Sequence, residues 1–189
     1  MRMMIAVTGN LKRIVAAFAA TAFFCLPATA ETDRLDELLA RLPEASPAEA
    51  RKVAAEIEME WSKSGSPAMD LLLRRGKDAI EAGEHVAAIE HLSALTDHAP
   101  DFVEAWHLRS VAFFRQDRYG LALADIQRAL ALEPRHFNVI YGLGVLLEEM
   151  GRYALAHDAF SRVLAIHPHH ENVSSARERV ARQLGGAEL

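Results

Sequence analysis

Thiol chemistry has almost no place in this chain: its 189 residues hold one cysteine, Cys25, and it lies in an N-terminal stretch with the features of a removable targeting segment. The remainder can form no disulfide, no cysteine-based zinc site and no cysteine nucleophile. Aromatic residues make up only 7%, so a core must be built mainly from Ala, Leu, Val and Ile, which suits close helix packing. Positive charge is not in excess. The 21 Lys and Arg against 26 Asp and Glu leave −5, which argues against sequence-independent binding to nucleic acid. There is no glycine-rich phosphate loop, nucleophile elbow or His-Glu-x-x-His, so no enzyme activity, cofactor or metal is expected. What is there, 51% hydrophobic residues with a mean hydropathy of +0.01, is the composition of a folded protein rather than a disordered or polytopic membrane one.

Residues 1–30 carry Arg2, Lys12 and Arg13 and no acidic residue, then the uncharged run Ile14 to Leu26, then Pro27-Ala28-Thr29-Ala30. That is the order of a secretory signal, with cleavage expected after Ala30 and the periplasm as destination. The apolar run of 13 residues is short of the roughly 20 needed to span a bilayer, and a retained anchor is the alternative. Phe23-Phe24 stand before Cys25 where a lipoprotein signal needs a small residue, so lipid attachment is not expected. Removing the segment leaves 18 basic against 26 acidic residues, a net charge of −8.

The rest is organised by a period of 34 residues. Pro100, Pro134 and Pro168 keep that spacing, as do Ala88, Ala122 and Ala156; Gly76, Ser110 and Gly144; Leu92, Ile126 and Phe160; and Leu95, Ala129 and Val163. Apolar residues within each unit follow helical spacing: Trp106, Ser110 and Phe113, then Tyr119, Ala122, Ile126 and Ala129 after a break at Gln116-Asp117-Arg118. Each unit therefore reads as a helix hairpin. Small residues on both helices let their backbones approach, and the proline closes the second helix.

These slots resemble the tetratricopeptide repeat signature. The second unit reads Trp106, Arg109-Ser110, Phe113, Ala122, Ile126, Pro134; the third Ile140, Leu143-Gly144, Leu147, Ala156, Phe160, Pro168; the first Leu72, Arg75-Gly76, Ala79, Ala88, Leu92, Pro100. The resemblance implies an all-α, right-handed superhelix of three hairpins, about 69–102, 103–136 and 137–170. Arg75 and Arg109 replace the usual leucine, which either loosens packing or lays arginine stems over apolar surface. Residues 31–66 read as a capping helix pair stacked on the first repeat, with Pro43 stopping its first helix. Residues 171–189 read as a C-terminal capping helix and tail, with Val173, Ala176, Val180 and Leu184 along one stripe.

Nine histidines raise the question of a metal or of acid–base chemistry. The densest group, His167, His169 and His170, reads as solvated residues of a turn; His85 and Glu90-His91 read as helix surface. Adjacent Glu148 and Glu149 point about 100° apart on a helix and cannot flank one bond.

The resemblance also implies that the first helices of successive hairpins line a concave groove. Its rungs would be Leu73, His107 and Tyr141; Lys77, Val111 and Val145; and Ile80, Phe114 and Glu148, some of which a purely structural reading assigns to core. In chaperone adaptors of this family a carboxylate clamp occupies slots held here by Leu73, Lys77, Leu108, Asn138 and Gly142, none of the required type. The expected activity is therefore a non-catalytic protein-interaction module binding an apolar or aromatic-bearing protein or peptide segment. The alternatives are a structural subunit whose groove a neighbouring chain fills permanently, and a glycan-binding accessory using Trp106, Phe114 and Tyr141.

Overall fold

The computed structural model describes residues 28–186, and side chains from Arg34 to Gly185. Of the signal-like stretch 1–30, residues 1–27 lie outside the described residues. The expected cleavage point, Ala30, falls within a helix that begins at Ala28. The order is α1 (Ala28–Arg41), a 3-10 turn (Leu42–Glu44), α2 (Pro47–Trp61), α3 (Pro67–Glu81), α4 (His85–His98), α5 (Val103–Phe114), α6 (Tyr119–Leu132), α7 (Phe137–Glu149), α8 (Tyr153–Ile166) and α9 (Val173–Gly186). The hairpins are α3–α4, α5–α6 and α7–α8, stacked in sequence, with α9 against α8.

Each hairpin turns on the same backbone device. Gly83, Asp117 and Gly151, 34 residues apart, have φ of 75°, 56° and 69°, the left-handed conformation that ends a helix. The next amide reaches back five residues each time: Glu84 to Ala79, Arg118 to Phe113 and Arg152 to Leu147. Helix contact is closest where the sequence places its small residues. A Cβ on Gly76 would lie 2.6 Å from Leu92, and one on Gly144 would run into the ring of Phe160. Ala122 and Ala156 are wholly buried. Ala122→Leu and Ala156→Leu should each cost about 1–3 kcal/mol by overpacking, read as a fall in midpoint in denaturant titrations; unchanged midpoints would contradict this register.

The first hairpin is not capped as the sequence suggests. Although α2 leads directly into α3, its buried stripe Ala50, Val53, Ala54, Ile57 and Trp61 joins Leu38, Leu39 and Leu42 in one core with Phe137, Ile140, Phe160, Val163 and Val173. The pair α1–α2 thus braces the third hairpin. Arg135 of the α6–α7 turn donates to Asp36 at 2.7 Å, and Asn138 donates to Glu58 at 2.8 Å. An i, i+3, i+4 stripe specifies that a face is buried but not which neighbour covers it. Here Trp61 decides, stacking on His136 with ring centroids 3.7 Å apart and tilting against Phe137 at 4.9 Å.

Arg109 neither loosens the packing nor serves as simple cover. Its guanidinium donates to both carboxylate oxygens of Asp125 on α6 (2.7 and 2.8 Å) and to the hydroxyls of Thr96 and Ser93 on α4 (2.7 and 3.2 Å). It also lies 4.8 Å from the Trp106 ring centre. One side chain thereby ties the first hairpin to both helices of the second.

Candidate functional site

The second and third hairpins enclose an open cavity of about 420 Å³ between α5 and α7. His107, Val111 and Phe114 come from α5, Tyr141 and Val145 from α7, with Arg115 and Asn138 also in the lining. Period explains the alignment: His107 and Tyr141, and Val111 and Val145, are 34 residues apart, so each pair occupies one rung on adjacent parallel helices. Phe114 and Tyr141 keep partial exposure while touching neighbours, Phe114 against Tyr119 and Tyr141 against Phe160 and His170.

The other sequence-derived rungs do not join them. Leu73 is 3% exposed, packed into the core between the first hairpin and α5, so it offers nothing to a ligand. Lys77 is exposed and Ile80 packs partly against that same core; neither lines the cavity. Glu148 is taken up by Arg179 of α9, which donates to its two oxygens at 2.6 and 2.7 Å. This cavity thus spans the second and third hairpins.

Beside the cavity lies a cluster that the sequence reading missed. Glu104, in the first turn of α5, accepts at Oε2 from His107 Nδ1 (3.1 Å) and from His136 Nε2 (3.2 Å). His136 is wholly buried and caps α7, its Nδ1 accepting from the Val139 amide at 3.4 Å. Burial alone would raise the Glu104 carboxyl, but the charge and hydrogen bond of His107, with the hydrogen bond of His136, hold it well below the usual carboxylate range. Burial pushes His136 down, more than its bond to Glu104 restores, so that ring is neutral near pH 7. The legible part of the signal is Glu104 and His107 at i, i+3 on one helix; His136 comes from the next repeat.

The turn histidines also need correction. His167 is 6% exposed and His170 is half-buried, with edge contacts to Phe137, because α7 and α2 close over the turn; only His169 is exposed. Burial, then the neighbouring His170 and His169, push His167 down to about 4; burial also lowers His170. These rings fold neutral but take up protons near pH 6.5 when unfolded. Their contribution is complete above that value and is lost as pH falls from about 6.5 towards 4, on the order of 2 kcal/mol for His167. Glu104 loses its contribution lower, below its unfolded value of about 4.5. Thermal melts across this range should fall steadily on the acid side, and His167→Gln should flatten the drop above pH 4; a pH-independent midpoint would contradict the buried, neutral rings.

Comparison with known proteins extends the picture. Two profiles described as tetratricopeptide repeat match residues 73–135 and 108–181, together more than half of the chain. A TPR repeat-containing protein of Rhizobium etli is 35% identical over 119 residues, 62% of this chain and 58% of the relative's length. Among solved structures, the first TPR of Spaghetti (RPAP3) bound to the HSP90 peptide SRMEEVD superposes with a TM-score of 0.60 at 20% identity, over 62% of this chain and 93% of that one. MamA is similar at a TM-score of 0.59 and 26% identity, over 62% of this chain and 68% of that one.

Proposed function

The chain belongs to the tetratricopeptide repeat family, and from that premise we propose that it is a non-catalytic adaptor of the bacterial periplasm that binds a protein or peptide segment in its groove. The cavity between α5 and α7 carries this reading, since it presents Val111, Phe114, Tyr141 and Val145 to a ligand beside the polar groups of His107, Asn138 and Arg115. Concave apolar clefts with a few placed polar groups are where ligands bind. A segment bearing an apolar or aromatic side chain suits that lining, held as a helix or extended strand. The similar RPAP3 domain, with its bound HSP90 peptide, supports a peptide as the class of ligand. Export rests on residues 1–30; among the described residues no helix is long and apolar enough to cross a membrane.

The experiment is crosslinking in the native envelope followed by mass spectrometry, with wild type, Phe114→Ala and Tyr141→Ala compared. Aromatic side chains that dominate an interface contribute about 2 kcal/mol or more, so each variant should lose the crosslinked partner while keeping its helical circular dichroism. Equal capture by folded variants would remove the groove as the site. A mature chain beginning at Glu31 is expected from the same material, and an intact Met1 would remove the periplasmic assignment.

A further inference from the structure

We propose that Glu104, His107 and His136 form a binding site for one divalent transition-metal ion of the zinc class, an assignment independent of what fills the groove. Three potential ligand atoms, one from each residue, lie within 4.8 Å of one another. The two oxygen-to-nitrogen separations, 3.1 and 3.2 Å, are close to the donor–donor edge of about 3.3 Å that bonds of about 2.0–2.1 Å produce around a tetrahedral ion. Two of the three donor–donor edges are thus already near the tetrahedral length, and the third closes from no more than 4.8 Å.

Donor chemistry selects the class of ion. Two imidazole nitrogens and one carboxylate oxygen suit zinc and its first-row neighbours, whereas calcium and magnesium prefer sets made of oxygen. Charge points the same way. Glu104 is a buried carboxylate whose hydrogen-bond partners among the described residues are two imidazoles, with no arginine or lysine paired to it. Buried charges are ordinarily paired or bound to a metal. Trp61 stacked on His136 holds that ring in place and shields it from water.

Binding changes protonation at both rings. Each imidazole gives the ion the lone pair of the nitrogen that now faces Glu104: neutral His136 moves that proton to its other ring nitrogen, and His107, where charged, releases it to solvent through the cavity. For His136 this gives up the contact from the Val139 amide, which is long at 3.4 Å. His107 also lines the groove cavity, giving a fourth ligand such as water a route in.

The test is calorimetric titration of chelator-stripped protein with zinc chloride, with bound cobalt(II) read by its visible d–d absorption. One ion per chain and a raised melting temperature are expected. Removing a hydrogen-bond partner of a metal ligand already costs about 10–100-fold in affinity, so Glu104→Gln and His107→Gln should weaken binding by at least about 100-fold. His107→Gln lies at the cavity edge and is checked for fold by circular dichroism. The double variant His169→Gln, His170→Gln should bind as wild type does. No saturable binding, unchanged binding in folded His107→Gln, or loss of binding in the His169, His170 variant would each overturn the assignment.

Discussion

Arg109→Leu, which restores the residue usual at this repeat position, is expected to destabilise the protein by about 3–5 kcal/mol rather than stabilise it. Asp125 is 4% exposed, and the two guanidinium bonds at 2.7 and 2.8 Å are its hydrogen bonds among the described side chains. Leucine would leave that carboxylate buried without a counter-charge, which costs far more than the intact pair contributes. Thr96 still has the Ser93 carbonyl to donate to, so the penalty centres on Asp125. The double variant Arg109→Leu, Asp125→Leu should recover most of the loss, because an apolar pair of similar volume often matches or exceeds a buried ion pair. Denaturant titrations on the two singles and the double give the coupling energy directly. A single Arg109→Leu as stable as wild type would mean that the leucine slot tolerates the carboxylate in another conformation.

The contrast between Arg109 and the small-residue slots shows which features of this fold a sequence makes legible. Gly144 and Ala156 announce a close helix contact because a periodic small residue has one main packing consequence, and Phe160 fills the space they leave. Arg109 announces only a departure from pattern. Its meaning depends on Asp125, 16 residues on, and on Ser93 and Thr96 in the previous hairpin. The same limit governs the site. The rungs through Val111 and Val145 are legible from the 34-residue period, but Leu73 is drawn into core by α5 and Glu148 is claimed by Arg179, partners outside the local pattern. The Glu104 cluster needs His136 brought in across a hairpin and sealed by a tryptophan from α2. Periodicity encodes the stack; it does not encode the partners of side chains that depart from the repeat pattern.

Trp61 makes one such contact, and Trp61→Ala is expected to cost about 3–5 kcal/mol. The ring is 7% exposed and fills the corner where α2 meets the start of α7. Its loss removes the stacking face of His136 and opens the Glu104 cluster to water while the hairpins α3–α4 and α5–α6 keep their own cores. Stability in stacked repeats is close to a sum of local terms, so the pair α1–α2 should loosen first. Proteolysis between α2 and α3, at residues 62–66, should then accelerate before helical signal falls. Trp61→Phe separates packing from polarity. The indole Nε1 is buried with no hydrogen-bond partner among the described residues, so phenylalanine keeps a stacking face and removes a donor whose burial is unfavourable. Its stability should stay within about 1 kcal/mol of wild type. If phenylalanine proves as damaging as alanine, the indole nitrogen has a partner essential to the fold; if alanine proves harmless, α1–α2 does not brace the third hairpin in solution.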